Sequence, residues 1–259
     1  RNLLSFRSVH TVQFSRFNFK GTPVQKRLLR PLVEKGLVRG WDDPRMPTIE
    51  GVRRRGITSD AIKQFTLQVG YTKSEHEFDW SLLFAVNRKL LDPLTKRLFY
   101  VPSPVELRIA GARPKKVAIP FHPDKELGSR EIEVGESVYV PVADVSALKL
   151  GQTFRLMDLY NLKLTSKADE FAEAEYIGDE LIREIPKVQW VTRDNVKIEV
   201  LEPGQLYNDD GTLNMSSMKR SRGLVEGAFR GRSAGEMVQF PRYGFCRVDS
   251  SETCILAHK

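Results

Sequence analysis

The sequence predicts an α+β fold in which a small helical domain is followed by two antiparallel β-barrels. Between residues 26 and 100, apolar residues recur at helical spacing and helix caps separate the segments. From about residue 101 onward, nine short segments alternate in polarity or are rich in β-branched residues, with Gly, Pro, Asp or Asn between them. The chain of 259 residues is long enough to form more than one core.

The helical domain should contain four or five helices. In the first, Leu28, Leu29 and Leu32 fall on helical spacing, and the later ones include IEGVRRR, AIKQFTLQV and WSLLFAVNRKLL. A Ser, Thr or Asp cap before an apolar run and a Gly after it indicate where helices begin and end. The predicted cap and stop positions are Gly36, Gly56, Thr58 or Ser59, Gly70, Asp79 and Asp92-Pro93, the last pair starting a new helix.

The second part of the chain reads as strands throughout. The segments are VELRIA, KKVAIPF, REIEVGESVYVPV, TFRLMDLYNLKL, AEAEYIG, KVQWVTR, VKIEVL, EMVQFPRYGFCRVD and TCILAHK. This many short strands over about 159 residues indicates one or two closed barrels. The stretch 207–232 is polar and rich in Gly and Ser, so we predict a long loop there.

Charge is distributed unevenly along the chain. The net charge is +8, but residues 1–120 carry 23 basic and 10 acidic residues whereas residues 121–259 carry 18 and 23. A basic first half favours an anionic partner, nucleic acid first, with that half along the phosphate backbone. No apolar run approaches the length of a membrane span, and two cysteines with four scattered histidines predict neither a disulfide framework nor a metal site.

The N-terminal segment has a distinct composition. Residues 1–30 contain seven Lys and Arg and no acidic residue. A remnant of a mitochondrial transit peptide has this composition, and so does a short basic arm. We therefore expect a cytoplasmic protein, with a mitochondrial location as the alternative.

The run GWDDPRMPTIEGVRRRG, residues 40–56, is the most informative one. Asp42 and Asp43 could form a metal pair, but adjacent carboxylates before a proline more often cap a turn, which we favour. Arg53, Arg54 and Arg55 lie on successive faces of a helix, so they cannot all point to one surface. Phosphate contact by one or two of them and ordinary solvated charge both remain open.

Residues 23–56, PVQKRLLRPLVEKGLVRGWDDPRMPTIEGVRRRG, resemble the segment that follows the Rossmann catalytic domain in glutamyl- and glutaminyl-tRNA synthetases. In that family a Lys-Met-Ser-Lys-Ser-type loop precedes a helix, a Trp-Asp-Asp-Pro-Arg stretch and an Arg-Arg-Gly turn. The resemblance continues to the end of the chain, and RLMDLYNLKL favours the archaeal/eukaryotic-type glutamyl branch over the glutaminyl one. The other similar stretches are 78–101, 121–134, 154–164, 188–190 and 235–249.

The resemblance implies a domain organisation and a function. Residues 1–25 would be a basic arm with a remnant of the catalytic-domain loop, residues 26–100 a helical connecting domain, and residues 101–259 two anticodon-binding barrels, one inserted within the other. The whole enzyme would use ATP and Mg to ligate glutamate to tRNA. No stretch of this chain matches the family's His-Ile-Gly-His-like motif or amino-acid pocket. We therefore expect this half to bind no cofactor and to recognise glutamate-type tRNA or other structured RNA without aminoacylating it alone.

An alternative interpretation follows from the same absence. The chain would then be a catalytically inactive, synthetase-derived RNA-binding or structural subunit of a larger ribonucleoprotein complex, with the mitochondrion as one setting.

Individual residues can be assigned from the resemblance and from residue type. Lys26 matches the family lysine that steadies the ATP phosphates, although Gln25 stands where the family has Ser. Trp190 and Phe245 are predicted to pack in a core rather than to stack on bases. The candidate RNA-binding residues are Lys26, Arg45, Arg53 and Arg54 in the helical domain and Arg155, Arg242 and Tyr243 in the barrels.

Overall fold

The computed structural model describes residues 10–70, 73–168 and 170–259. Residues 1–9 of the predicted basic arm, on which part of the mitochondrial hypothesis rests, lie outside the described residues. None of the helices in the described ranges is long and apolar enough to cross a membrane.

Four α-helices form the first part of the structure, as predicted. They are α1 (Lys26–Glu34), α2 (Ile49–Arg55), α3 (Ser59–Val69) and α4 (Trp80–Leu91). The side chains of Thr58 and Asp79 accept hydrogen bonds from the first turns of α3 and α4, which confirms both predicted N-caps. Gly56 ends α2 with φ +99°, and a Cβ there would come within 3.0 Å of the Met237 sulfur, so glycine is required for both conformation and space.

The helix predicted to start at Asp92-Pro93 is only a single 3₁₀ turn, Asp92–Leu94. The Thr95 hydroxyl donates to the Leu91 carbonyl, and the chain then enters the first barrel strand. The turn from helix to strand therefore falls at residues 94–96. A fifth helix that the sequence did not indicate, α5 (Val142–Ala147), lies between two barrel strands.

Most of the remaining chain is strand. In chain order the strands are β1 (Phe17–Phe19), β2 (His76–Phe78), β3 (Lys96–Arg97), β4 (Tyr100–Pro102), β5 (Pro104–Ala110), β6 (Lys115–Pro120), β7 (Ser129–Val134), β8 (Ser137–Pro141), β9 (Thr153–Leu156), β10 (Asn161–Lys167), β11 (Phe171–Gly178), β12 (Lys187–Val188), β13 (Asn195–Pro203), β14 (Met218–Glu226), β15 (Met237–Phe240), β16 (Gly244–Ser250) and β17 (Thr253–His258). Strands β1 and β2 pair in parallel beside α3 and α4, and β6 pairs with β7 as a separate hairpin.

The first barrel is a six-stranded sheet in the order β12-β9-β10-β11-β5-β8. Its two edges approach each other, because Tyr139 on β8 exchanges backbone hydrogen bonds with Val191 just after β12. Closing a sheet in this way removes exposed strand edges. Its core contains the fully buried rings of Phe154 and Trp190.

The second barrel is a seven-stranded sheet in the order β3-β15-β16-β17-β13-β14-β4. Its edge strands β3 and β4 are neighbours in sequence, and they precede the first barrel whereas β13–β17 follow it. The first barrel is therefore inserted within the second, in agreement with the predicted arrangement. Most strand pairs are antiparallel, but four pairs within the barrels, β5–β11, β9–β12, β13–β17 and β3–β15, are parallel.

The long loop predicted at residues 207–232 was wrong in its second half, where β14 pairs along its whole length with β13. The polar run of β14 reads as loop because its exposed face carries Arg220 and Arg222, which both contact Glu199 on β13. Gly223 also reads as a breaker. A Cβ at that position would lie 2.7 Å from the Tyr100 ring, so the glycine makes room for an aromatic side chain.

Candidate nucleic-acid interface

The loop before α1 is fixed by contacts with the second barrel. The Tyr207 backbone N–H donates to the Gly21 carbonyl at 3.1 Å, and Leu206 packs in one apolar cluster with Leu29 and Leu32 of α1. The side-chain amide of Gln25 lies 3.3 Å from the guanidinium nitrogens of Arg16. An open cavity of about 590 Å³ lies between the loop, β1 and residues 207–211, and its lining includes Arg16, Gly21, Gln25 and Tyr207.

Lys26 is the first residue of α1, and its side chain is exposed. No described acidic side chain forms an ion pair with it. The ammonium group is therefore available to an external anion.

Asp43 caps the turn that precedes α2, as the sequence favoured. It is buried, and its carboxylate accepts from the Arg39 backbone N–H and from both the backbone and the guanidinium of Arg45. Burial opposes ionisation of Asp43, but these hydrogen bonds outweigh it and hold its pKa below the ordinary value. Arg45 also donates to Ser217, so its guanidinium serves the junction between the helices and the second barrel.

The three arginines of α2 point in different directions, as expected. Arg53 is exposed and pairs with Glu50 on its own helix. Arg54 binds both carboxylate oxygens of Asp249 on β16, and this charge-assisted pairing raises its pKa. Arg55 donates to backbone carbonyls of the barrel, and burial lowers its pKa to about 10, so it stays charged at neutral pH.

Arg155, which the sequence predicts as an RNA contact, is buried on β9 beneath the loop that follows β11. Its guanidinium donates to Asn161 and to the carbonyl groups of Leu159, Asp179 and Glu180. The side chain is 9% exposed. The donors therefore hold the loop after β11 onto the barrel, which is a structural role.

In the second barrel, Arg242 and Tyr243 are also held by carboxylates. Arg242 makes a two-point contact with Asp144 on α5 and remains about half exposed. The Tyr243 hydroxyl donates to Glu202 at 2.7 Å, and burial raises the pKa of the phenol. Trp190 and Phe245 are both buried, which confirms that they pack in cores.

Sequence reasoning missed a polar cluster where α4, the second barrel and the segment after β6 meet. Arg97 on β3 and Gln239 on β15 are register partners, and Arg97 Nη2 lies 3.1 Å from Asp92. His122, after β6, faces the same carboxylate with its Nε2 at 3.9 Å. The backbone N–H of Asp124 donates to His122 Nδ1, so in the neutral ring Nε2 carries the hydrogen.

This cluster has hydrogen-bonding capacity that the protein does not use. In the described parts of the chain, Arg97 Nε, His122 Nε2 and Gln239 Oε1 are buried and have no hydrogen-bond partner. Unpaired buried polar groups are costly, and three at one place are unusual. The three atoms are themselves inaccessible, but the Arg97 side chain that carries one of them is 30% exposed. No sequence pattern marks it, because Arg97 and Gln239 become neighbours only through strand pairing.

Such groups match the edges of unpaired bases. Arginine offers donors and glutamine offers one donor pair and one acceptor, and both read base edges in protein–nucleic acid complexes. Unstacked single-stranded bases are recognised in this manner in RNA.

Comparisons with known proteins agree with the fold. Residues 2–93 match the catalytic domain of class I tRNA synthetases for Glu and Gln, and residues 95–177 and 187–249 match the two anticodon-binding domains of that family. Among curated relatives, the glutamate–tRNA ligase of Cenarchaeum symbiosum is 38% identical over 98% of this chain and 45% of its own length. Those of Nitrosopumilus maritimus and Pyrococcus furiosus are 38% and 35% identical over 95% and 96% of this chain, each over 43% of its own length.

The chain thus spans less than half the length of these relatives, and the match runs through both barrels and the helices before them. The fold, the insertion of one barrel within the other and the similarity to these relatives all indicate the same family. The chain belongs to the class I family of glutamyl- and glutaminyl-tRNA synthetases and corresponds to the C-terminal half of its glutamyl members.

Proposed function

We propose that this chain binds tRNA, of the glutamate type, and reads unpaired anticodon bases with the cluster of Arg97, His122 and Gln239. The observation that supports this most directly is the set of three unpartnered buried polar atoms beside the partly exposed Arg97 side chain. A base edge that enters as the Arg97 side chain moves aside would supply the missing partners. The exposed cations of the helical part, including Lys26 and Arg53, would contact phosphates and add salt-dependent affinity.

Replacing Arg97 by Ala is expected to weaken binding of a glutamate tRNA about 10- to 100-fold, because a hydrogen bond to a charged group contributes about 1.5–3 kcal/mol. Gln239→Leu removes the unpaired acceptor and should also weaken binding. Fluorescence anisotropy with a labelled transcript at fixed salt measures both.

The exposed Arg183 supplies a matched control, because Arg183→Ala removes the same charge away from the cluster. A tRNA with a changed anticodon should bind the wild-type chain weakly and lose little more in Arg97→Ala. If Arg97→Ala and Gln239→Leu bind both tRNAs as tightly as Arg183→Ala and the wild type do, the cluster reads no base.

We further propose that the whole synthetase ligates glutamate to tRNA with ATP and Mg, and that Lys26 contacts the ATP phosphates. This is supported by its exposed, unpaired position at the start of α1. In an active synthetase that contains this chain, Lys26→Ala should lower kcat for aminoacylation by roughly 100-fold, as expected for losing a group that stabilises developing charge.

The control for this change is Lys35→Ala at the other end of α1, which should leave kcat unchanged. An unaltered kcat in Lys26→Ala would remove Lys26 from the chemistry.

A further inference from the structure

We propose that Trp41, with Lys26 and Arg30, forms a groove that holds one nucleotide of a single-stranded RNA segment, with the base stacked on the indole and its phosphate beside the two cations. The proposal rests on the proposed function, because it assumes that the bound macromolecule is RNA. It concerns a face of α1 that is separate from the Arg97 cluster, and it applies to this chain without bound ATP, because in the whole synthetase the same Lys26 would contact the ATP phosphates.

The first observation is the exposure of Trp41. The residue is 40% exposed, whereas Trp190 is fully buried and the Trp80 indole donates to Thr22. The loop that carries Trp41 is nonetheless well fixed, because the buried Asp43 binds the backbone on both sides of itself. A rigid loop that presents a large aromatic ring to solvent is suited to binding, since little conformational freedom is lost.

The second observation is the surface opposite this ring. Trp41 and α1 border a groove of about 410 Å³ whose other lining residues are Lys26, Arg30, Val33 and Glu34. Lys26 and Arg30 are one helical turn apart and therefore share a face. The buried face of α1, with Leu29 and Leu32, points the other way into the protein.

Charge identifies the occupant. Glu34 is the only acid among the lining residues, and it lies 3.9 Å from Arg30, which leaves the groove with one excess positive charge. An apolar protein segment placed there would desolvate two cations and supply no counter-charge. A nucleotide supplies both a π-face for the indole and a phosphate for the cations, and the +13 balance of residues 1–120 favours a polyanion.

The test uses a fluorescein-labelled octamer of uridylate and the wild-type chain with Trp41→Leu, Trp41→Phe and Leu67→Ala. Leu67 is 80% exposed on α3 and serves as the matched control for loss of an exposed apolar side chain. Trp41→Leu should weaken octamer binding about 5- to 100-fold, the range that one base–aromatic stack contributes. Trp41→Phe should keep most of the affinity, and Leu67→Ala should stay within about 2-fold of wild type.

Two competitors separate the explanations. Heparin carries negative charge without bases, so its affinity should not depend on Trp41. AMP should bind far more weakly than the octamer. The proposal is overturned if Trp41→Leu binds the octamer as tightly as wild type, or if its affinity for heparin falls as much as its affinity for the octamer. It is also overturned if AMP binds as tightly as the octamer and this binding depends on Trp41.

Comparison with tRNA binding keeps the two proposals apart. If Arg97→Ala binds tRNA weakly while Trp41→Leu binds both tRNA and the octamer normally, the proposal for the Arg97 cluster is supported and the proposal for the Trp41 groove is rejected. If Trp41→Leu binds the octamer weakly while Arg97→Ala binds tRNA normally, only the proposal for the Trp41 groove is supported.

Discussion

Glu226→Ala is expected to lower the free energy of unfolding by about 3–5 kcal/mol, the cost of breaking a buried ion pair by removing one partner. Glu226 and Arg130 are both nearly inaccessible, and Arg130 Nε lies 2.8 Å from Glu226 Oε1. Glu226 also accepts from the Phe99 backbone, while Arg130 donates to the carbonyl groups of Ile119 and Pro120. Without Glu226, the guanidinium stays buried and has no counter-charge. Urea unfolding at neutral pH measures the change.

The pair also connects two parts of the fold, because Arg130 lies on the β6–β7 hairpin and Glu226 ends β14. The same hairpin carries His122 toward the Arg97 cluster. Hydrogen exchange of β6 and β7 should therefore accelerate in Glu226→Ala, and tRNA affinity should fall with it.

Arg222→Ala is the control, since Arg222 is largely exposed and shares Glu199 with Arg220. Removing it should cost less than about 1 kcal/mol. A double replacement of Arg130 and Glu226 by apolar residues of similar size should recover most of the loss. A loss below 1 kcal/mol in Glu226→Ala would contradict the assigned role.

Local signals in the sequence were sufficient to predict most secondary structure. Thr58 and Asp79 cap helices because their side chains satisfy N–H groups one turn ahead, which depends only on neighbouring residues. The barrel strands show alternating polarity because successive side chains of a strand point to opposite faces of the sheet, which is also a local property. β14 lacks that signal, since Arg220 and Arg222 cover its outer face and Gly223 makes room for Tyr100.

The candidate site was harder to predict because it depends on distant pairings. Arg97 and Gln239 are 142 positions apart and meet through a parallel register that no local pattern encodes. Residue type alone also does not show whether a charged residue has partners within the protein. Their charge predicts Arg45 and Arg155 as RNA contacts, whereas in the structure both guanidinium groups bind partners within the protein.

The stability of the fold is expected to depend on pH through His258. Burial, with the nearby charges of Arg88 and Arg55, lowers the pKa of His258 to about 4, against about 6.5 in an unfolded chain. The geometry gives the reason. Asn87 accepts from Thr58 with its oxygen, so its amide nitrogen faces His258 Nε2 at 3.0 Å. The imidazole Nε2 of His258 must therefore accept from the Asn87 amide. Protonation of the ring would place two donors against each other.

Because the folded state binds the proton more weakly than the unfolded state, stability is complete above about pH 6.5 and falls as the pH drops toward 4. The expected loss over this window is about 3 kcal/mol, from 1.36 kcal/mol per unit. His258→Gln keeps an acceptor for Asn87 and cannot be protonated, so its stability should fall less between pH 6.5 and 4. The exposed His10 supplies the control, and His10→Gln should leave the wild-type slope unchanged. Parallel pH profiles for wild type and His258→Gln would show that His258 does not couple the junction of α4 and β17 to pH.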